Sequence, residues 1–326
     1  MNKDNLLMCC DWGTSNFRLY LVEKSTERIL GHIKNNNGIA ATYKKWEAQG
    51  KSNKTRFFQE LLNEKINHLA KNINEDLTKI PVVLSGMASS SLGVVEVPYA
   101  SLPFSIPRPV LNFEKITDVS DRQNDLYVFG GLRSAEDVMR GEEVQLIGLQ
   151  KFFPSENFKC ILPGTHSKHV EVANGKVVDF KTYMTGEIFN LLEKHSILKN
   201  SVSDADVTFQ KDFFQKGVTR GINENLLNNV FTVRTQDILD KISTKKNKNY
   251  LSGLLIGHEL KSISNYQGAI VVAANSSLFK RYKVAMTLIA ASTKCTFIAP
   301  ENLKNAIPSA HIHLMKNLKN NHDPIF

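Results

Sequence analysis

Apolar residues at positions 6–10 (Leu6, Leu7, Met8, Cys9, Cys10) run in series, break at Asp11-Trp12-Gly13-Thr14-Ser15-Asn16, and resume with alternation from Phe17 to Val22. Such a pattern predicts a buried strand, a tight polar turn and a second strand. It recurs as Ile161-Leu162-Pro163-Gly164-Thr165-His166-Ser167-Lys168-His169-Val170-Glu171-Val172, with Gly13 on Gly164 and Thr14 on Thr165, 151 residues apart. A repeat of that period implies a duplicated fold, with two hairpin tips facing one cleft. The copies differ in chemistry. Asp11 falls opposite Leu162, so only the first tip carries an acid; the second carries Lys168 and two histidines.

The remaining pattern is that of an α/β chain. Residues 57–73 repeat their apolar positions at three and four and read as a helix. Residues 81–85 and 126–129 read as short buried strands, and residues 23–37 as polar and turn-like. Helices are expected from about Glu142, over 187–195 with Ile188, Leu191 and Leu192 inward, and over 250–260, whose small residues imply close packing on a neighbour. Phe213 to Gly221 reads as helix or turn, and 237–249 as polar surface. Gly268 to Asn275 reads as a buried strand, with Ser276 and Ser277 capping a helix over 278–291. A strand over 295–299 and a short helix over 311–318 close the chain. With about two domains expected at this length, the division falls into 1–130 and 131–326, each carrying one hairpin, with no linker long enough to make them independent.

Composition narrows the class. The chain is 42% hydrophobic and 22% charged, as in ordinary globular proteins. No apolar run approaches the ~20 residues of a membrane span, and Asp11 and Gly13 interrupt the N-terminal apolar stretch too early for a signal peptide. Cys9, Cys10, Cys160 and Cys295 form no C-x-x-C pair; three lie in apolar strands, as buried free thiols do, which suggests a reducing, cytoplasmic setting. The formal net charge of +9 raises nucleic-acid binding. The lysines are scattered, however, and the densest run, Lys245-Lys246-Asn247-Lys248, lies in a polar stretch. A solvated surface explains the charge, and no nucleic-acid or membrane partner is expected.

Several residues could carry chemistry. Gly13 allows close approach of the backbone to a ligand, and Thr14, Ser15 and the turn amides can donate to phosphate oxygens. Asp11 could hold a hydrated Mg²⁺ bridging those phosphates; an ordinary hairpin with a polar turn fits the segment equally. At the second tip Gly164, Thr165, His166 and Lys168 suit a phosphate. Gly86 and Met87 open a small-residue loop after a buried strand, a common ligand position in α/β folds, and Glu96 and Tyr99 follow closely; a plain connection is the alternative. Glu142 and Glu143, at a helix start, could serve as general base for an attacking hydroxyl or merely complement the helix dipole. Thr185 and Gly186 could bind an anion at a helix start or cap it. Ala274 and Asn275, between a strand and a helix, form an arrangement many nucleotide folds use.

Taken together, Asp11-Trp12-Gly13-Thr14-Ser15-Asn16-Phe17-Arg18, Ser85-Gly86-Met87, Glu96-Val97-Pro98-Tyr99, Asp137-Val138-Met139-Arg140-Gly141-Glu142-Glu143-Val144-Gln145, Leu162-Pro163-Gly164-Thr165-His166-Ser167-Lys168, Met184-Thr185-Gly186-Glu187 and Leu251-Ser252-Gly253-Leu254-Leu255-Ile256-Gly257 resemble, in order, the 2-dehydro-3-deoxygalactonokinases. These are sugar-acid kinases of the actin/hexokinase/Hsp70-like ATPase superfamily. The resemblance covers nearly the whole chain. It implies two RNase-H-like domains around ATP and Mg²⁺, and phosphorylation of 2-dehydro-3-deoxy-D-galactonate at its 6-hydroxyl during galactonate breakdown. It implies catalytic roles for Asp11, Arg18 and Glu142 or Glu143. ATP would be held by Gly13, Thr14, Ser15, Gly164, Thr165, His166, Lys168, Ala274 and Asn275, and substrate by Gly86, Met87, Glu96, Tyr99, Thr185 and Gly186. Two departures stand out. The loop after Met87 reads Ala88-Ser89-Ser90-Ser91 where the family resemblance leads one to expect an arginine, and Ala273-Ala274-Asn275 lacks the glycine expected at the adenosine turn. Another 2-keto-3-deoxy sugar acid as acceptor, a phosphatase of the same fold and an ATP-binding regulatory protein remain as alternatives. The expected partners are a small sugar acid and ATP; a homodimer is compatible and undecided by sequence.

Overall fold

The computed structural model describes residues 2–50, 53–117, 123–203, 208–289 and 295–322. The chain forms two compact units, residues 1–152 with 304–326, and residues 153–303. This division differs from the one expected at residues 130 and 131. The segment after 131 stays with the first unit through close packing: a Cβ on Gly148 would lie 1.8 Å from the carbonyl oxygen of Ala306.

In the first unit, β1 (Leu6–Trp12), β2 (Phe17–Glu23), β3 (Arg28–Asn35), β4 (Val82–Gly86), β7 (Phe113–Ile116) and β8 (Leu126–Phe129) form a sheet in the order β3-β2-β1-β4-β8-β7. β1 is antiparallel to β2 and parallel to β4, which is parallel to β8. β1 is central and buried, which explains its unbroken apolar run. Between them in sequence lie α1 (Ile39–Ala48) and α2 (Lys54–Ile73). α2 realises the predicted periodicity: Phe57, Phe58, Leu62, Ile66 and Leu69 are buried against Met8, Cys10 and Trp12. Asn53 caps its first turn through Arg56 N, and Asn74 ends it in the left-handed conformation. β3 corrects the turn expected over 23–37. Only Ile33 is buried on that edge strand, so its apolar signal is weak. Short strands β5 (Ala100–Ser101), β6 (Phe104–Ser105), β9 (Leu132–Arg133) and β10 (Val138–Met139) precede α3 (Glu142–Leu149).

The second unit repeats the plan. β11 (Phe158–Leu162), β12 (Ser167–Ala173), β13 (Lys176–Tyr183), β14 (Ile270–Ala273) and β15 (Cys295–Ile298) lie in the order β15-β14-β11-β12-β13. The β11–β12 and β12–β13 pairs are antiparallel, and β11–β14 and β14–β15 are parallel. Order and directions thus match β8-β4-β1-β2-β3, so the duplication seen at the two tips extends through five strands of each sheet.

Helices α4 (Thr185–His195), α5 (Lys199–Val202), α6 (Lys211–Asn223), α7 (Leu226–Ile238), α8 (Thr244–Leu260), α9 (Ser276–Thr287) and α10 (Pro300–His322) complete the chain. α6 and α8 meet through glycines: a Cβ on Gly217, Gly221, Gly253 or Gly257 would lie 2.1–2.3 Å from a carbonyl oxygen of the other helix. Three expectations are corrected here. In α4, Ile188 and Leu191 are exposed, and Leu192 with Phe189 makes the inward contact. The stretch taken as polar surface enters α8, where Asn247 and Asn249 are buried and bonded to backbone carbonyls. Asn275, not Ser276 or Ser277, caps α9, accepting from Leu278 N at 3.1 Å; the expected end of that helix at 290–291 lies outside the described residues.

Candidate functional site

The first tip is a tight turn closed by Gly13 N donating to the Asn16 carbonyl at 2.9 Å. The amides of Gly38, Ile39 and Ala40 donate to the carbonyls of Ser15, Gly13 and Thr14. The start of α1 therefore holds the tip from behind, leaving the Thr14 and Ser15 side chains exposed. Gly38 permits this approach, since a Cβ there would meet the Thr14 carbonyl at 2.3 Å. Asp11, at the end of β1, is 15% exposed and pairs with Arg18 Nη1 at 2.5 Å. Burial pushes its carboxyl pKa up, and the Arg18 guanidinium opposes that shift.

Beside Asp11 runs Gly86. Its φ of +77° favours glycine, and a Cβ there would sit 3.4 Å from Asp11 Oδ1. Gly141, with φ +113°, comes equally close: its Cβ would lie 3.5 Å from Gly86 Cα. Asp11, the Gly86–Met87 turn and the start of α3 therefore share one rim of the first unit. The two candidate glutamates separate there. Glu143 is fully buried and folds back on the turn, accepting from Gly141 N at 2.9 and 2.7 Å. Burial, then the neighbouring Glu142, pushes its pKa up to about 8. Glu142 is half-buried and accepts from Arg140 N at 3.1 Å.

Tyr99 reaches the same rim through Arg140. Arg140 lies with its guanidinium carbon 4.2 Å from the Tyr99 ring centroid and donates from Nε to the Tyr99 hydroxyl at 3.3 Å. Its Nη1 donates to the Ser89 carbonyl and, at 2.5 Å, to the Ser89 hydroxyl. Glu96 is exposed on the connecting loop.

The second tip follows the first in how it is held. Glu187 N donates to the Thr165 carbonyl at 3.0 Å, and Gly186 lets α4 approach, since a Cβ there would meet the Gly164 carbonyl at 2.6 Å. Thr165 and His166 are exposed, and His166 pairs with the Glu187 carboxylate. Lys168 is only 5% exposed within β12. The Thr185 hydroxyl donates to the buried Glu259 carboxylate. Glu259 also accepts from His169 Nε2 at 3.0 Å and from the Tyr282 hydroxyl at 2.8 Å. Tyr282 in turn lies 3.3 Å from the Ser167 hydroxyl, which accepts from Gly164 N at the same distance. Of the two residues expected here to hold substrate, Gly186 lets α4 pack on the tip and Thr185 ties α4 to Glu259 of α8. Ala274 is buried at the end of β14, followed by the exposed cap Asn275.

Sequence reasoning missed Arg140, Ser89 and Glu259 as members of these clusters. Arg140 was visible as a cation next to the acidic helix start. Nothing in the spacing linked it to Ser89, 51 positions away, and nothing linked Glu259 to three donors on three other elements. Among the described residues no group of three or more His, Cys, Asp or Glu could hold a metal ion, and no helix is long and apolar enough to cross a membrane.

Comparison with known proteins identifies the relatives. A family model described as 2-keto-3-deoxy-galactonokinase matches residues 11–304. The chain is 36% identical over 215 residues to the 2-dehydro-3-deoxygalactonokinase of Escherichia coli, covering 64% of this chain and 70% of that one. It is 31% identical over 268 residues to a Rhizobium meliloti candidate for the same activity, covering 80% and 81%. Among solved structures, a Sinorhizobium meliloti protein described as a candidate 2-dehydro-3-deoxygalactonokinase superposes with a TM-score of 0.77 at 25% identity, over 98% of this chain and all of that one. The activator of 2-hydroxyisocaproyl-CoA dehydratase from Clostridium difficile, with bound ADPNP, matches at a TM-score of 0.51 and 12% identity, over 98% and 99%, a likeness of fold alone.

Proposed function

Because the chain belongs to the 2-keto-3-deoxy-galactonokinase family, with the duplicated fold of the actin-like ATPases, we propose that it transfers the γ-phosphoryl group of ATP to the 6-hydroxyl of 2-dehydro-3-deoxy-D-galactonate. The observation that supports this most is the rim where Asp11, Gly86 and Gly141 converge, with the half-buried Glu142 on the adjoining turn.

Glu142 is the general base. Its carboxylate accepts the proton of the 6-hydroxyl as that oxygen bonds to the γ-phosphorus and the bond to the β–γ bridging oxygen breaks, releasing ADP. Glu143 serves it indirectly by fixing the Gly141 amide, and so the backbone from which Glu142 projects. Gly86, Met87 and Tyr99 form the acceptor side. In the second unit Gly164, Thr165 and His166 hold phosphate oxygens, and Ala274 and Asn275 with the start of α9 hold the adenosine.

A magnesium ion fits Asp11 as part of the nucleotide rather than as a resident. Because the described residues around Asp11 form no group of three or more metal-binding side chains, the site suits a hydrated ion carried by phosphates, not a dedicated cage. Bound there, it would neutralise phosphate charge. Arg18 pairs with the same carboxylate. The four free cysteines, three of them buried, support a cytoplasmic setting.

The test is ADP release from Mg-ATP with and without 2-dehydro-3-deoxy-D-galactonate, beside its gluconate epimer. Turnover dependent on the galactonate compound is expected. ATP binding without acceptor-dependent ADP release would sink the assignment.

A further inference from the structure

A sugar acid brings a carboxylate to a rim that already carries the Asp11 and Glu142 carboxylates. A ligand of that charge needs a cation nearby, or repulsion and desolvation oppose its binding. Arg18 is spent on Asp11 at 2.5 Å. The loop from Met87 to Gly93 contains no lysine, arginine or histidine. Arg140 places one against that loop from a neighbouring segment.

The way Arg140 is held suits it to receive a carboxylate. Nη1 is anchored on the Ser89 carbonyl and hydroxyl, Nε on the Tyr99 hydroxyl, and one face of the plane on the Tyr99 ring. The half-buried side chain is thus fixed in orientation before any ligand arrives. A guanidinium has five N–H donors in a rigid fork. Those anchors use Nε–H and Nη1, and among the described residues Nη2 makes no hydrogen bond, so its two protons remain for a ligand. Pre-organised donors lose little freedom on binding, and a charge-assisted pair in a half-buried site is strong. Ser89 belongs to the turn that starts at Gly86, and Arg140 directly precedes Gly141, so the anchor and the base share one rim.

We infer that Arg140 is the carboxylate anchor of the acceptor site: it receives the acid end of the substrate through Nη2 while the hydroxyl end faces Glu142. This deepens the kinase assignment and rests on it.

The experiment compares the wild type with Arg140→Gln and Arg140→Lys in the full chain. Two acceptors are used, the sugar acid and the same sugar with its carboxylate converted to the uncharged primary amide. A hydrogen bond to a charged group is worth about 1.5–3 kcal/mol, or roughly 10- to 150-fold. Arg140→Gln is expected to lower kcat/KM for the acid by that factor through KM, with KM for ATP unchanged, and to lose most of the preference for acid over amide. Arg140→Lys is expected to keep the preference in part, and added guanidinium ion to restore part of the Arg140→Gln activity toward the acid alone. An equal loss toward both acceptors, or an unchanged preference, would mean that Arg140 only braces Ser89 and Tyr99, and overturns the inference. Should Arg140→Gln fail to fold, the wild type decides: a preference for acid over amide below about twofold also overturns it. Absence of wild-type turnover with any 2-keto-3-deoxy acid would instead defeat the kinase assignment.

Discussion

Replacing Glu143 by Gln tests the division of labour at the start of α3. Glu143 is fully buried, and burial raises its pKa from 4.5 to about 8. In the unfolded chain the same carboxyl ionises near its ordinary value. Below pH 4.5 both states hold the proton and the group costs nothing. As pH rises from there to 8, the unfolded state gives up its proton and the folded state keeps it, so stability falls. The slope approaches 1.4 kcal/mol per pH unit, which amounts to about 4 kcal/mol between pH 5 and pH 8. Gln cannot ionise, yet its side-chain oxygen can still accept from Gly141 N. Glu143→Gln should therefore gain on the wild type by about that amount across this range, whatever its offset at pH 5. Urea unfolding at pH 5, 6, 7 and 8, followed by tryptophan fluorescence, reads the right unit, because both tryptophans, Trp12 and Trp46, lie in the first. Parallel stability curves for variant and wild type would refute the reasoning. The same variant bears on catalysis. With Glu142 as base, Glu143→Gln keeps most of its turnover and Glu142→Gln loses it; the reverse result would exchange their roles.

Asp11→Asn should leave the far-UV spectrum unchanged and lower kcat at least about a hundredfold, because a developing-charge partner is removed; unchanged turnover would exclude Asp11 from the site. Asn275→Ala should cost about 1 kcal/mol through the lost cap on α9 and raise KM for ATP without changing KM for the sugar acid, as steady-state kinetics would measure. Gly253→Ala places a Cβ 2.1 Å from the Phe214 carbonyl and should destabilise the second unit by about 2–3 kcal/mol, visible in thermal unfolding of the intact chain.

The fold was legible where apolar residues run unbroken through a central strand or recur at helical spacing. The β1 and β11 runs, the 57–73 helix and the Gly-Thr tips were all legible, because apolar spacing reports local geometry. β3 was lost because an edge strand buries little, and α7 because its apolar face is thin: Leu227 and Phe231 are exposed. The site was legible only in part. Asp11 and Gly86 announce themselves at strand ends, and the pair Glu142-Glu143 at a helix start. Which glutamate turns inward depends on the positive φ at Gly141, which adjacent letters do not encode. The Arg140–Ser89–Tyr99 clasp and the donors around Glu259 join residues from distant segments, so only the folded chain assembles them.

At its four glycines the α6–α8 contact sets backbone against backbone. At those points no rotamer can absorb a displacement, so the two helices act as a single stiff beam. Ile270, Val272 and Ala274 of the β14 segment rest on that beam through Phe214, Val218 and Ile256. The turn at Ala274 and Asn275 is therefore gauged by the spacing of two helices rather than by its own residues. With alanine at position 274, the turn keeps its dimensions as long as the four glycines beneath it hold the two helices together.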